Sequence, residues 1–200
     1  ANTFWGGGGD DRIEGRAGDD RLEGEAGADI ILGEDGADQL FGGDGDDILA
    51  GGAGDDALDG GAGADTASYE LATSGVSVSL LLQGVAQNTG SAGFDTLASI
   101  ENLAGSAFDD VLTGDDADNL LAGRAGADIL DGAQGLDRAN YSESSSAVTV
   151  NLATGLHSGG DAAGDVLVSI EGVIGSNFND TLIGDANANT LHGGGGAFVG

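Results

Sequence analysis

The sequence predicts an all-β solenoid of stacked nine-residue repeats that two longer inserts interrupt. Three observations lead to this fold class. A large apolar residue recurs every nine residues between glycines, and Gly accounts for 41 of the 200 residues. The chain also contains 35 Asp and Glu but only five Arg, which gives a formal net charge of −30. Average proteins contain roughly 7% Gly. Gly costs about 1 kcal/mol relative to Ala in a helix interior, so glycine at every fourth or fifth position predicts that no helix forms.

The first repeat array runs without a gap from Gly6 to Ser68 in seven units. Positions 1 and 4 are Gly and position 6 is Asp in every unit, and position 8 is Ile or Leu except at Ala67. Gly allows a tight turn over positions 1 to 6. Positions 7 to 9 suit a short strand whose central side chain, at position 8, is buried by stacking. The units read GGGGDDRIE, GRAGDDRLE, GEAGADIIL, GEDGADQLF, GGDGDDILA, GGAGDDALD and GGAGADTAS.

The same nine-residue frame returns in two later arrays, residues 105–140 and 175–192. Phe108 and Phe178 replace the position-4 Gly in the first unit of each, and we expect their rings to cover the core there. In the last eight residues Phe198 stands where Asp belongs, so no complete site is expected.

The two inserts between the arrays resemble each other. VSVSL and VTVNL alternate β-branched and polar residues and are predicted strands. DTLASIEN and DVLVSIEG follow them. Leu103 and Val173 each lie nine residues before the next repeat leucine, so the stack is expected to continue through the insert ends without calcium turns. The chain is therefore predicted to divide into five segments. Residues 1–68 form an N-terminal cap, with Trp5 over the open end of the stack, and the first array. The first insert (69–104), the second array (105–140), the second insert (141–174) and a short third array with a degenerate end (175–200) follow.

The repeating position-6 aspartates indicate calcium sites. If each coil uses two nonapeptides, every turn lies above the turn 18 residues away, and carboxylate and carbonyl oxygens meet in the gap. About six oxygens suit Ca²⁺, which takes 6–8 oxygen ligands, better than the smaller Mg²⁺. Cys is absent and the two His are isolated, which disfavours softer metals. Stacking of this kind predicts about five gaps in the first array and about two in the second, hence several ions.

The predicted ligands fall into two sets. The side-chain set is Asp11, Asp20, Asp29, Asp38, Asp47, Asp56, Asp65, Asp110, Asn119, Asp128, Asp137, Asp180 and Asn189. The backbone carbonyl set is Gly9, Gly18, Gly27, Gly36, Gly45, Gly54, Gly63, Gly126 and Gly135. The two Asn sites are expected to be weaker because an amide carries no charge. The position-5 acids (Asp10, Asp19, Asp46, Asp55, Asp109) are expected to be solvated, and the arginines near the start to form surface ion pairs.

The motif GGxGxDxUx, in which U is a large apolar residue, resembles the repeat of RTX (repeat-in-toxin) proteins. The resemblance covers nearly the whole chain. It implies a right-handed parallel β-roll that binds Ca²⁺ between successive turns on each edge, through the position-6 carboxylates and the carbonyls of the glycine turn. It also implies an extracellular or cell-surface protein exported by type I secretion without a cleaved N-terminal signal. Residues Ala1 to Trp5 indeed show no basic or apolar signal region.

The main functional hypothesis is therefore a calcium-dependent folding and scaffold module. The chain contains no HExxH or GxSxG motif, so we expect no catalysis by these residues. Its acidity disfavours nucleic acid as a partner, and no apolar run approaches the ~20 residues of a membrane span. Two alternatives stay open. The chain is a structural or adhesin protein that self-associates through solenoid ends or edges, or the C-terminal tail of a secreted hydrolase or epimerase.

Overall fold

β-Strands and turns alternate throughout residues 1–195, the part of the chain that the computed structural model describes. Among these residues there is no α-helix, and only three 3₁₀ turns occur, Leu80–Leu82, Gly90–Ala92 and Gly160–Ala162. The all-β prediction is confirmed. The prediction of an incomplete site at Phe198 lies outside the described residues.

The first array forms eight strands in which each coil contains two nonapeptides. Ile13 pairs with Ile31, and Leu22 with Leu40, so the register between neighbouring strands is 18 residues, as predicted. Most strands are six residues long and continue into positions 1 to 3 of the next unit, which makes them longer than expected. The strands are β1 Thr3–Gly8, β2 Arg12–Ala17, β3 Arg21–Ala26, β4 Ile30–Asp35, β5 Gln39–Asp44, β6 Ile48–Ala53, β7 Ala57–Ala62 and β8 Thr66–Ser68.

The inserts and later arrays contribute shorter strands. Both predicted insert strands form, and each lies parallel to a strand of the following array. The strands are β9 Ser77–Ser79, β10 Gln87–Asn88, β11 Phe94–Ala98, β12 Asn102–Ala104, β13 Val111–Thr113, β14 Leu120–Ala122, β15 Ile129–Asp131, β16 Arg138–Asn140, β17 Thr149–Asn151, β18 Leu156–Ser158, β19 Val166–Val168, β20 Gly172–Ile174, β21 Thr181–Ile183 and β22 Thr190–His192.

One nine-stranded sheet runs the length of the described chain, in the order β2-β4-β6-β8-β12-β14-β16-β20-β22. The strands that alternate with it form three shorter sheets, β1-β3-β5-β7-β11-β10, β19-β15-β13-β9 and β18-β17-β21. Because β12 pairs with both β8 and β14, the stack continues through the end of the first insert. β20 does the same between β16 and β22.

The core between the sheets consists of position-8 side chains that stack in one column on each sheet. Leu22, Leu40, Leu58 and Leu97 are at most 2% exposed and stack on successive coils. Insert residues such as Tyr141 join the same cluster. A lone repeat has nothing to cover its position-8 residue, so burial requires neighbouring coils, as in other solenoids.

Two predictions about aromatic residues are wrong. Phe4, and not Trp5, pairs with the core residue Leu22, so the strand alternation turns Trp5 outward, where it is 62% exposed. Phe108 and Phe178 are each 46% exposed and lie outside the buried core cluster. In both cases the side chain belongs to a position that the pleat or the turn directs toward solvent.

Candidate metal sites in the turns between coils

Ten of the thirteen position-6 side chains are buried, and nine of these ten are carboxylates. The exposed fraction is 3% or less at Asp20, Asp29, Asp38, Asp47, Asp56, Asp65, Asp110, Asn119, Asp128 and Asp137. A buried charge is costly unless it is paired or coordinates a metal. These side chains therefore need partners inside the roll.

In every position-6 carboxylate except that of Asp11, one oxygen accepts a hydrogen bond from a backbone amide on the neighbouring coil. The amide of Asp29 donates to Oδ1 of Asp47 at 2.8 Å, and the amide of Asp47 donates to Oδ1 of Asp65 at 2.8 Å. Successive contacts of this kind form a ladder of hydrogen bonds along one edge of the roll. An equivalent ladder runs along the other edge, where the amide of Asp38 donates to Oδ1 of Asp56 at 2.8 Å. Each rung joins turns 18 residues apart, so the ladder holds the turns in the predicted register.

The second carboxylate oxygen has no hydrogen-bond partner in many of these residues. It is buried and unpaired at Asp11, Asp20, Asp29, Asp38, Asp47, Asp56, Asp65, Asp128, Asp137 and Asp180. An unpaired buried acceptor on a charged group is expensive, and its regular recurrence calls for a ligand. A row of such oxygens is what a series of bound cations would satisfy.

Backbone carbonyls lie beside these unpaired oxygens. A Cβ atom added to Gly42 would collide with the carbonyl oxygen of Gly60 and with Oδ2 of Asp47, so these two oxygens approach the same spot. A Cβ atom added to Gly63 would collide with the carbonyl oxygen of Gly45. The gap between turns 42–47 and 60–65 is thus lined by a carboxylate and by carbonyls from positions 1 and 4. The position-4 carbonyls belong to the predicted ligand set, whereas the position-1 carbonyls line the gap without having been named in that set.

The donor set fits calcium. Among residues 1–195 no three His, Cys, Asp or Glu side chains converge as a metal cluster. The lining of each gap explains this, because most of its oxygens belong to the backbone. Carboxylate and carbonyl oxygens are hard donors that Ca²⁺ accepts in flexible geometry. The residues present therefore suit this ion, which would neutralise the buried carboxylates.

Burial raises the pKa of several of these carboxyl groups. It raises the pKa of Asp56 to about 7 and that of Asp65 to about 6, and repulsion from acids on neighbouring turns adds to the effect. The pKa of Asp128 is raised to about 7 and that of Asp137 to about 6 for the same reason. Backbone hydrogen bonds oppose the shift without cancelling it. Without a cation, these groups therefore bind protons in mildly acidic solution, well above the pH at which an ordinary Asp does.

Acid should therefore partly replace calcium. Between its unfolded value of 3.8 and about 7, Asp56 is protonated in the folded chain and ionised in the unfolded chain. The free energy of unfolding of the metal-free chain consequently falls as the pH rises through this window. We expect the β signal in far-UV circular dichroism, measured in EDTA, to increase as the pH is lowered from about 8 to about 5.5.

A pair of variants controls this experiment. Asp56→Asn removes one titrating group and should weaken the pH dependence, whereas Asp35→Asn, at an exposed position, should leave it unchanged. A β signal that is independent of pH, or an equal response of the two variants, would contradict the assignment of the shift to the buried carboxyls.

Four turns in the later arrays give the position-6 side chain a further hydrogen bond from within the turn. Asn119 Oδ1 accepts from the amide of Asp115 at 2.7 Å, and its Nδ2 donates to the carbonyl of Glu101 at 2.8 Å. In the same way, the amide of Asp185 donates a hydrogen bond to Oδ1 of Asn189. In the turns that begin an array, a serine at position 2 donates its hydroxyl to Asp110 and Asp180. These contacts agree with weaker sites at Asn119 and Asn189, which stay predictions.

Insert residues outside the repeat frame join the ladders. The amide of Asp56 donates to Oδ1 of Asp95 at 3.1 Å, and that of Asp128 to Asp165 at 3.0 Å. Glu101 and Glu171 accept from the amides of the position-6 aspartates below them. These four carboxylates do not follow from the nine-residue period and are absent from the predicted ligands. The duplicated segments DTLASIEN and DVLVSIEG, which contain them, were the available signal.

The position-5 acids are hydrogen-bonded, which corrects the expectation that they are only solvated. Oδ1 of Asp10 accepts from the amide of Ala28 at 2.9 Å, and Asp46 accepts likewise from Ala64 at 2.9 Å. Asp19, Asp55 and Asp109 make the equivalent contact. The side chains remain at the surface, so each forms an outer link between coils.

The predicted surface ion pairs are present for two arginines near the start. Arg12 pairs with Glu14 at 3.0 Å and Arg21 with Glu23 at 2.7 Å. Both pairs are partly exposed to solvent, so each contributes little to stability. They offer no evidence of a binding site for another molecule.

Comparison with known proteins supports the metal assignment. The family model of the RTX calcium-binding nonapeptide repeat matches in four copies, at residues 5–40, 32–67, 104–139 and 173–197, which together exceed half of the chain. No curated protein matches the chain. Within residues 1–195 no helix has the length and apolar character needed to cross a membrane.

Proposed function

Because the chain belongs to the RTX calcium-binding nonapeptide repeat family, whose repeats bind Ca²⁺ and typify secreted proteins, we propose that it is a calcium-dependent folding and scaffold module. Calcium binding and folding are then one event, as in other domains whose metal site does not exist in the unfolded chain. The predicted Asp and Asn side chains and the glycine carbonyls are the proposed ligands.

The observation that carries this proposal is the row of buried, unpaired Oδ2 atoms. Apart from Asp11, each belongs to an aspartate whose other oxygen already accepts a backbone hydrogen bond, as at Asp29 and Asp47. Burying these carboxylates in a chain of net charge −30 opposes folding. Calcium removes both costs by neutralising the carboxylates and satisfying the unpaired oxygens. At neutral pH, where most of these carboxylates are ionised, the roll therefore depends on the ions to form.

Such a module suits export. In the calcium-poor cytosol the chain would stay unfolded and could pass through a narrow type I secretion channel. Extracellular calcium would then fold it. Extracellular calcium modules bind with Kd values of about 10⁻⁴–10⁻³ M, which lie between these two conditions.

A calcium titration tests the proposal. With free calcium raised from about 10⁻⁶ to 10⁻² M, we expect the hydrodynamic radius to decrease cooperatively, with a midpoint near 10⁻⁴–10⁻³ M. Magnesium over the same range should not reproduce the change, because it holds its waters and demands a smaller shell. A chain that is already compact at the lowest calcium concentration would refute the export role.

The two alternative functions, a self-associating structural protein and the tail of a secreted enzyme, would use the same calcium-bound roll. They differ in whether copies of the roll associate. A self-associating structural protein would show calcium-dependent growth in light scattering, whereas a scaffold or the tail of a secreted enzyme would stay monomeric when calcium is bound. We expect the monomer, because the acidic surface of the chain opposes close contact between copies. Particles that grow when calcium is added would favour the structural role, whether or not about 0.5 M salt, which screens the surface charges, prevents the growth.

A further inference from the structure

A three-residue turn occurs twice at the ends of the inserts, as SIE at residues 99–101 and again at 169–171. Each turn leads from a strand of a shorter sheet into the nine-stranded sheet, from β11 to β12 and from β19 to β20. Both turns lie outside the segments that the family model matches. Strand pairing stacks the first of them on turn 60–65 and the second on turn 132–137.

In both short turns a glutamate takes the place of the position-6 aspartate. The amide of Asp65 donates to Oε2 of Glu101 at 2.9 Å, and the amide of Asp137 donates to Oε2 of Glu171 at 3.0 Å. The equivalent contact in the regular ladder, from Asp47 to Asp65, is 2.8 Å. The turns have three residues instead of six, and the extra methylene of glutamate compensates for the shorter backbone.

A serine carbonyl takes the place of the position-1 glycine carbonyl. A Cβ atom added to Gly60 would collide with the carbonyl oxygen of Ser99 and lie 2.6 Å from Oδ2 of Asp65. A Cβ atom added to Gly132 would meet Ser169 in the same way and lie 2.5 Å from Oδ2 of Asp137. This repeats the arrangement of Gly42 with Gly60 and Asp47. Both serines have a φ of 50°, a left-handed conformation that only a few per cent of residues other than Gly adopt.

The space between these oxygens is lined by buried acceptors that have no hydrogen-bond donor. Asp65 and Asp137 are both 0% exposed, and Oδ2 of each is buried without a hydrogen-bond partner. Each unpaired oxygen lies beside a serine carbonyl and across from a second carboxylate. Two carboxylates and a carbonyl around one gap repel one another unless a cation lies between them.

We propose that each of these two gaps binds a calcium ion, with Glu101 and Glu171 as side-chain ligands and the carbonyls of Ser99 and Ser169 as backbone ligands. This inference rests on the proposed calcium-dependent function and extends it to residues outside the nonapeptide motif. It revises the expectation that the insert ends lack calcium turns. Each insert thereby continues the row of ions that the preceding array begins.

The test compares calcium stoichiometry in the full-length chain with and without the two glutamate charges. Native mass spectrometry counts the ions, and isothermal titration calorimetry measures their affinity. Glu101→Gln combined with Glu171→Gln should bind two fewer ions than the unsubstituted chain, or bind two of them at least about tenfold more weakly, because ligand charge sets calcium affinity. Glu25→Gln combined with Glu143→Gln, at exposed positions, is the matched control and should keep the full count.

Glutamine keeps an oxygen that can accept from Asp65 or Asp137, so a purely structural role of the glutamates would leave the ion count unchanged. An unchanged count and affinity in the double variant would overturn this inference alone. An unsubstituted chain that binds no calcium would overturn the proposed function as well. Far-UV circular dichroism at saturating calcium checks folding, and if the double variant does not fold, each single variant should lose one ion.

Discussion

Removal of calcium is expected to unfold the chain at neutral pH. The first array has three gaps on one edge, between turns 6–11, 24–29, 42–47 and 60–65, and two on the other, between turns 15–20, 33–38 and 51–56. A tenfold excess of calcium over Kd contributes about 1.4 kcal/mol per independent site. Five such sites contribute about 7 kcal/mol, which is comparable with the whole stability of a typical domain, about 5–15 kcal/mol.

Far-UV circular dichroism before and after addition of EDTA measures this effect. We expect the β signal to be lost in EDTA and restored by excess calcium. Sodium chloride at matched ionic strength is the control, because it screens the net charge of −30 without filling the gaps. A chain that keeps its β signal in EDTA at pH about 7.5, where even the carboxyls with raised pKa values are largely ionised, would contradict calcium-dependent folding.

Substitution of a position-1 glycine is expected to have the next largest effect. In Gly42→Ala the new methyl group would meet the Gly60 carbonyl and Oδ2 of Asp47, both of which line a proposed calcium gap. Backbone cannot move aside as a flexible side chain can, so the turn must shift and the gap must distort. We expect a loss of about 3 kcal/mol in the free energy of unfolding with calcium bound, at the upper end of the usual range for point substitutions.

Thermal unfolding in saturating calcium provides the measurement. For a chain of this size, the expected loss lowers Tm by about 6 to 12 °C. Gly8→Ala is the matched control, because an added Cβ at Gly8 meets no atom within 4 Å. Equal Tm values for the two variants would show that the Gly42 gap is not tightly packed. Calorimetry should also show one fewer calcium ion for Gly42→Ala and an unchanged number for Gly8→Ala.

The period of the repeat allowed the fold and most of the candidate site to be predicted. A nine-residue spacing of Leu and Ile, together with paired glycines, requires stacked coils because no other arrangement buries a single apolar residue per unit. Two units per coil then bring position-6 aspartates to an 18-residue register, which the pairing of Ile13 with Ile31 confirms. Residues such as Asp29 and Asp47 could thus be named as candidate ligands from the sequence, and their role as ligands stays a proposal.

Features at the inserts and at the first strand could not be predicted from the period. The amide of Asp56 meets Asp95, 39 residues away, and that of Asp65 meets Glu101, 36 residues away, because each insert changes the chain length per coil. The outward orientation of Trp5 depends on the register of β1 against β3. The sequence by itself determined the repeating coil and the phase of its acids, since both follow from a strict local period. Only the tertiary structure decided which insert residues complete the ladders, because that depends on which distant segments stack upon one another.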